Sequence, residues 1–281
     1  MTDLATGTVC NNSCIMCTTI RGFDLNNAKQ PMNSKSEIIN NIQNNRYHSC
    51  FSITGGEPTL RDDLFEIIKE IKSVNPKADL RLLTNGRRLF YRKYAYDLVK
   101  SGVNIFTIPL HAHCWELHDF ITRTKGSFQQ TIKGLQNLGR FIEHGIQIEI
   151  RIVIHGANYP FVPETADLIN KHFPFANVVM FYYDSIGSAH INREKLMVDI
   201  SKTVPYIEKA CDILKQPKQI YHIPHCMLNQ DYRKYSAGQT VEDIRIAYTD
   251  KCKLCVEKEN CSKLWRTYFH HKGDDEIKTI K

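Results

Sequence analysis

Cys10, Cys14 and Cys17 stand within eight residues of one another in VCNNSCIMCTT (residues 9–19), and no fourth cysteine lies nearby. Thiolates gathered this tightly are ligands for a soft metal or an iron–sulfur cluster. A four-iron cluster takes one thiolate per iron, so three cysteines leave one iron open, and an open position is how a metal site admits a substrate or cofactor. Three buried cysteines or an incomplete zinc knuckle are the plainer readings, but the spacing is more specific than a lone Cys-x2-Cys. A second motif, TGGEP at 54–58, offers Gly55, Gly56 and Glu57. Glycines let backbone approach a ligand closely, and carbonyls beside a carboxylate suit an ammonium group. A third group, Cys252-x2-Cys255-x5-Cys261 with Cys226 upstream, supplies four thiolates. Four ligands close a site, and both structural zinc and an auxiliary iron–sulfur cluster accept them. His225, next to Cys226, is either a substitute ligand or a loop histidine.

These groups need a scaffold. Apolar stretches at 6–10, 49–54, 79–84, 103–109, 146–154 and 177–183 read as strands, separated by helical patterns near 35–46, 61–74, 90–101, 128–143 and 161–172. Six strands with five intervening helices are repeated βα units. The spacing predicts a broad apolar face on 61–74 behind a Thr59/Asp62 capping pair, and a second on 128–143 stopped by Gly145. In 146–154, Ile146 through Ile154 alternate with Gln147, Glu149, Arg151 and Val153. The polar face of that strand either looks into a wet cavity or neutralises itself through Glu149 and Arg151. The expected fold is α/β, a partial (β/α)6 TIM-like barrel over 1–185, working at the carboxyl ends of its strands. A helix over 193–214 opens a small C-terminal, cysteine-rich, cluster-binding extension over 186–281.

Composition sets limits on function. Ten cysteines in 281 residues, with no signal peptide and no apolar run of spanning length, point to a cytoplasmic protein with reduced thiols and no membrane partner. The formal charge of +7 is spread along the chain among acidic residues, so nucleic-acid binding is not indicated.

The spacing Cys10-x3-Cys14-x2-Cys17 followed by TGGEP resembles the radical S-adenosylmethionine (SAM) superfamily over residues 1 to about 185. The resemblance implies that the three cysteines bind a catalytic [4Fe-4S] cluster and that SAM fills the open iron, so that an electron from the cluster releases a 5′-deoxyadenosyl radical. It implies that Gly55, Gly56 and Glu57 receive the SAM amino group. Further SAM contacts by family position are Met16, where many members carry an aromatic residue, with Thr84, Asn85, His111 and Arg151. An electron donor such as flavodoxin or ferredoxin is implied as a partner. The loop holding His111, His113 and His118 resembles one common in the superfamily, and its histidines read as solvated or hydrogen-bonded before they read as metal ligands.

The tail resembles part of the SPASM and twitch extensions of peptide-modifying enzymes, including maturases of the His-Xaa-Ser system. One auxiliary iron–sulfur cluster on Cys226, Cys252, Cys255 and Cys261, or zinc, is then expected. The leading expectation is hydrogen abstraction from a ribosomally made peptide substrate, ending in a crosslink, epimerisation or oxidation. The alternative substrate is a small molecule, sugar, nucleotide or RNA, and a non-catalytic iron–sulfur redox sensor is the alternative of another class. Cys50, Cys114 and Cys211 are candidate hydrogen-atom donors or simply small buried residues.

Overall fold

Alternating apolar runs and helical repeats form a seven-stranded sheet whose spatial order follows the chain: β1 (Thr2–Ala5), β2 (Cys50–Thr54), β3 (Asp79–Leu83), β4 (Ile105–Pro109), β5 (Gln147–Ile154), β6 (Asn177–Tyr182) and β7 (Lys218–Tyr221). This computed structural model describes residues 1–19 and 33–281. The architecture is α/β, of the partial TIM-like kind expected. Its first strand lies earlier than 6–10, because Gly7 at φ 105° breaks the extended run. The seventh strand was not among those expected. Contacts divide the chain into two compact units, residues 1–13, 33–109 and 122–150 in the first and 14–19, 110–121 and 151–281 in the second.

In the first unit β1 to β4 pair in parallel, with Leu4 opposite Ile53, Ile53 opposite Leu82 and Leu82 opposite Phe106. Parallel neighbours need crossovers, and helices supply them. Helix α1 (Lys35–Asn44) starts in a capping box, Ser34 accepting from the Glu37 N–H while the Glu37 carboxylate accepts from the Ser34 N–H. Helix α2 (Leu64–Val74) buries Leu64, Ile67, Ile68 and Ile71 of the expected face, while Phe65, also expected there, is exposed. Its cap differs from expectation: Asp63 occupies the N-cap and pairs with Arg61. Thr59 instead belongs to a 3-10 turn, Pro58–Leu60, capped by Glu57. Helix α3 (Arg92–Lys100) leads into β4. After α4 (Trp115–Thr122), which belongs mostly to the second unit and which the residue pattern did not reveal, α5 (Ser127–Gly139) buries Leu135 and Leu138. The alternation in β5 is real, with Ile148, Ile150, Ile152 and Ile154 all buried. On its polar face Glu149 accepts from Arg81 of β3 at 3.1 Å.

In the second unit β6 and β7 pair in parallel, Val178 opposite Lys218 through Phe181 opposite Tyr221. Helices α6 (Val162–His172), α7 (Ser188–Ile191), α8 (Arg193–Leu196) and α9 (Ile200–Ile213) follow. The single helix expected over 193–214 is interrupted because the Tyr182 hydroxyl donates to the Val198 carbonyl at 2.7 Å and accepts from its N–H at 3.3 Å, which holds that residue out of the helix. A short antiparallel pair, β8 (Ile246–Ala247) with β9 (Leu264–Trp265), and α10 (Arg266–Lys272) complete the unit. Among the described residues no helix is long and apolar enough to cross a membrane.

The two TGGEP glycines are fixed by space. A Cβ on Gly55 would lie 2.7 Å from the Gly7 carbonyl oxygen, and one on Gly56 would overlap the Val9 carbonyl. Gly145 is the opposite case, with φ 78° and nothing within 4 Å of the position a Cβ would take. Gly56→Ala is therefore expected to shift the loop that carries Cys10 and lower the melting temperature sharply, whereas Gly145→Ala should cost only about 1 kcal/mol of backbone strain. Thermal unfolding of the two variants side by side checks the contrast.

Candidate active site

Glu57 organises the carboxyl ends of the first unit's strands. Its side chain is buried, and its two carboxylate oxygens accept from the Thr59 N–H at 3.1 Å, the Thr59 hydroxyl at 2.6 Å, the Thr84 hydroxyl at 2.6 Å and the Asn85 N–H at 2.7 Å. Four donors satisfy a buried carboxylate. The backbone on either side is bonded to the loop after β1, Gly56 N–H to the Gly7 carbonyl and Glu57 N–H to the Val9 carbonyl, both at 2.7 Å. One residue thus joins the loop after β1, the end of β2 and the end of β3. Thr84 is spent on Glu57 and on the Gly86 N–H.

The same end of β3 reaches the first cysteine. Asn85 donates from Nδ2 to Cys10 Sγ at 3.7 Å and to Asn11 Oδ1 at 2.7 Å, and the Asn12 N–H donates to Cys10 Sγ at 3.4 Å. Arg87 adds bonds to the Asn11 carbonyl and to Asn12 Oδ1. Helix α5 fixes this turn from behind, Thr131 donating to the Asn85 carbonyl at 2.9 Å. Residue type alone would not reveal the sulfur-directed role of Asn85.

In the second unit the turn Cys14–Cys17 is closed by the Cys17 N–H on the Cys14 carbonyl. Ile15 pairs with Ile121, the Ala189 N–H donates to the Cys17 carbonyl at 3.0 Å, and Asn192 donates to the Ile15 carbonyl at 3.0 Å. Met16 is buried. The Thr19 N–H donates to Cys17 Sγ at 3.4 Å, the same two-residue pattern seen at Cys10. N–H groups aimed at sulfur stabilise a thiolate, so this donor set suits an iron–sulfur cluster. Among the described residues no three His, Cys, Asp or Glu side chains form a ready-made metal-holding group.

His111, two residues beyond β4, is fully buried with His118 and His155. The His118 Nδ1 accepts from the His111 N–H at 3.3 Å, and the His155 Nδ1 from the Ala157 N–H at 3.2 Å. His111 Nδ1 and His155 Nε2 have no partner. The loop histidines 111 and 118 are therefore buried, not solvated. Burial holds His118 down to about 4 and His155 to about 3, and burial together with those two neighbours holds His111 well below the usual histidine range. Arg151 lies half-buried on β5, and the carbonyl of that residue accepts from the Leu110 N–H. Cys211 is a packing residue, its thiol pushed up to about 12 by burial in α9.

Cys226, Cys252, Cys255 and Cys261 line one pocket together with His225, Lys258, Lys263 and Lys278. The His225 and Lys263 N–H groups each donate to Cys261 Sγ at 3.4 Å. Burial raises the Cys226 thiol, and the other three thiols raise it further. Four thiols sharing a pocket, with N–H groups on sulfur, fit a metal or cluster that takes up thiolates and releases their protons.

Comparison with known proteins decides the family. The radical SAM superfamily model matches residues 4–169, more than half of the chain. This protein belongs to the radical SAM superfamily. It is a radical SAM enzyme, and membership implies a [4Fe-4S] cluster and SAM as its cofactors. Among curated proteins, the GTP 3′,8-cyclase of Lactiplantibacillus plantarum is 32% identical over 257 residues, covering 91% of this chain and 72% of the relative. The GTP 3′,8-cyclase of Limosilactobacillus fermentum is 25% identical with the same coverage. Among solved structures, Streptococcus suis SuiB bound to precursor peptide SuiA superposes with a TM-score of 0.61 at 17% identity, covering 79% of this chain and 49% of SuiB. At that identity the likeness carries the fold alone.

These relatives correct the expected substrate. The radical SAM enzyme on a ribosomally made peptide, with a peptide as partner, is overturned by relatives named for action on GTP that match nearly the whole chain. The partial tail pattern misled the expectation, because cysteine spacing describes a metal site and not what lies beside it.

Two outcomes follow from the geometry. Glu57→Ala strands the Thr59 and Thr84 hydroxyls and the Asn85 N–H, so a loss of about 2–4 kcal/mol in urea unfolding and weaker SAM binding by calorimetry are expected. Because His118 and His155 are held below their unfolded value of 6.5, the unfolded chain binds more protons below that pH. Stability should be full above pH 6.5 and fall as pH drops towards about 4, by up to about 1.4 kcal/mol per histidine per pH unit. Urea midpoints from pH 7 to pH 5 check the sign.

Proposed function

We propose that this radical SAM enzyme acts on a nucleotide, with GTP as the substrate to test first. The observation that carries the reading is the 32% identity to a GTP 3′,8-cyclase across 91% of the chain. When bound, the cluster and SAM supply a 5′-deoxyadenosyl radical able to take a hydrogen atom from an unactivated C–H bond.

The chain's own groups prepare for that chemistry. In this reading Cys10, Cys14 and Cys17 hold the catalytic cluster. Asn85 and the Asn12 N–H steady the Cys10 sulfur. The Gly55 and Gly56 backbone faces the SAM ammonium, and Glu57 acts through the frame it builds, since its carboxylate already accepts from Thr59, Thr84 and Asn85. Cys226, Cys252, Cys255 and Cys261 hold an auxiliary iron–sulfur cluster, supported by their shared pocket. The cytoplasm suits a chain whose ten cysteines include seven read as metal ligands.

The test is anaerobic turnover of reconstituted, reduced protein with GTP, ATP or no nucleotide, following 5′-deoxyadenosine and the nucleotide together. GTP is expected to raise deoxyadenosine formation at least tenfold and to be consumed in step. Equal deoxyadenosine under all three conditions, with every nucleotide intact, contradicts a nucleotide substrate.

A further inference from the structure

The cysteine pocket contains a fifth donor. His225 opens a 3-10 turn, His225–Met227, and its side chain is 5% exposed. Its Nδ1 lies 3.2 Å from the Glu257 carboxylate, while its Nε2 is buried with no partner. Glu257 does not line the cysteine pocket; it lines the neighbouring one with Arg233 and Asn260. His225 lines both, so the carboxylate holds the ring from the outer side. Arg233 secures the backbone by donating to the His225 carbonyl at 3.1 Å, and the His225 N–H is already on Cys261 Sγ.

A carboxylate that accepts a hydrogen bond from Nδ1–H fixes the tautomer and leaves Nε2 a bare lone pair. Metal-ligating histidines are oriented in this way. A buried imidazole nitrogen without a partner is costly unless something fills the pocket beside it. The pocket it shares is lined by the four cysteines, whose thiols are weak donors, and none of the lysines that also line it bonds to Nε2.

We propose that His225, through Nε2, is a ligand of the metal centre in this pocket, together with three of its four cysteine thiolates. The imidazole binds neutral, keeping its Nδ1 proton hydrogen-bonded to Glu257, and only the thiols lose protons on metal uptake. The proposal rests on the reading that this pocket holds a metal. Glu257 is a positioning residue, and its removal should weaken metal retention about tenfold to a hundredfold, measured by chelator competition.

The experiment uses full-length protein carrying Cys10→Ala, Cys14→Ala and Cys17→Ala, so that any metal belongs to the C-terminal pocket. After metal analysis, the reduced cluster is examined by pulsed EPR with natural-abundance and 15N-histidine-labelled protein; if the metal is zinc, X-ray absorption at the zinc edge replaces it. A strong, directly bonded nitrogen coupling, or imidazole scattering, that disappears in His225→Gln supports the ligand. A bound metal with no such signal in the unmutated pocket overturns the ligand and leaves the auxiliary site standing. A pocket that binds no metal overturns both together.

Discussion

The buried carboxylate of Glu57 is the constraint on which the first unit depends. Desolvating a carboxylate is tolerable only when its lone pairs are filled, and here two threonine hydroxyls and two backbone N–H groups fill them. Those donors sit at the ends of β2 and β3, while the neighbouring backbone is bonded to the loop after β1. Removing the charge therefore loosens three strand ends at once. The two glycines before it serve the same closure, because any side chain there would strike the Gly7 or Val9 carbonyl. The motif is thus a packing device as well as the proposed SAM-facing surface.

The two sulfur sites use one local solution. At Cys10, Cys17 and Cys261 the N–H two residues later donates to the sulfur at 3.4 Å. At the third of these, Lys263 is left-handed at φ 62°, and His222, shortly before Cys226, is left-handed at φ 58°. A non-glycine residue in that region costs on the order of 1–3 kcal/mol and persists where its surroundings determine it. Here they do: His222 stacks on Trp265 at 3.8 Å, and Ser262 donates to the Ile223 carbonyl at 2.7 Å. The strain is held where the cysteines must converge.

Much of this was legible in the residue pattern. Five of the expected strands and the principal helices lie close to where periodicity put them, since α2, α5 and β5 each present a clean apolar face. β1 was displaced because Thr2–Ala5 is short and half polar, and its pairing with β2 is a long-range fact. α4 was hidden by the histidine-rich stretch that leads into it, and the interruption at Val198 by a partner sixteen residues away. The spacing of the first three cysteines, taken with TGGEP, carries the resemblance to the superfamily whose model matches residues 4–169. The cysteine spacings say nothing of the substrate, which is set by surfaces that no short motif encodes, and there the tail pattern pointed to a peptide where relatives matched over 91% of the chain are named for GTP.

Central to the proposed chemistry is that the amino-terminal cysteines carry the catalytic centre and the C-terminal four carry a second. Iron and sulfide analysis of reconstituted protein, with deoxyadenosine release after reduction, tests this most directly when the unmodified chain is compared with the Cys10→Ala/Cys14→Ala/Cys17→Ala form. About eight irons falling to about four, with deoxyadenosine formed only by the unmodified chain, is the predicted result. Undiminished iron in the altered chain, or deoxyadenosine released without those cysteines, would contradict it.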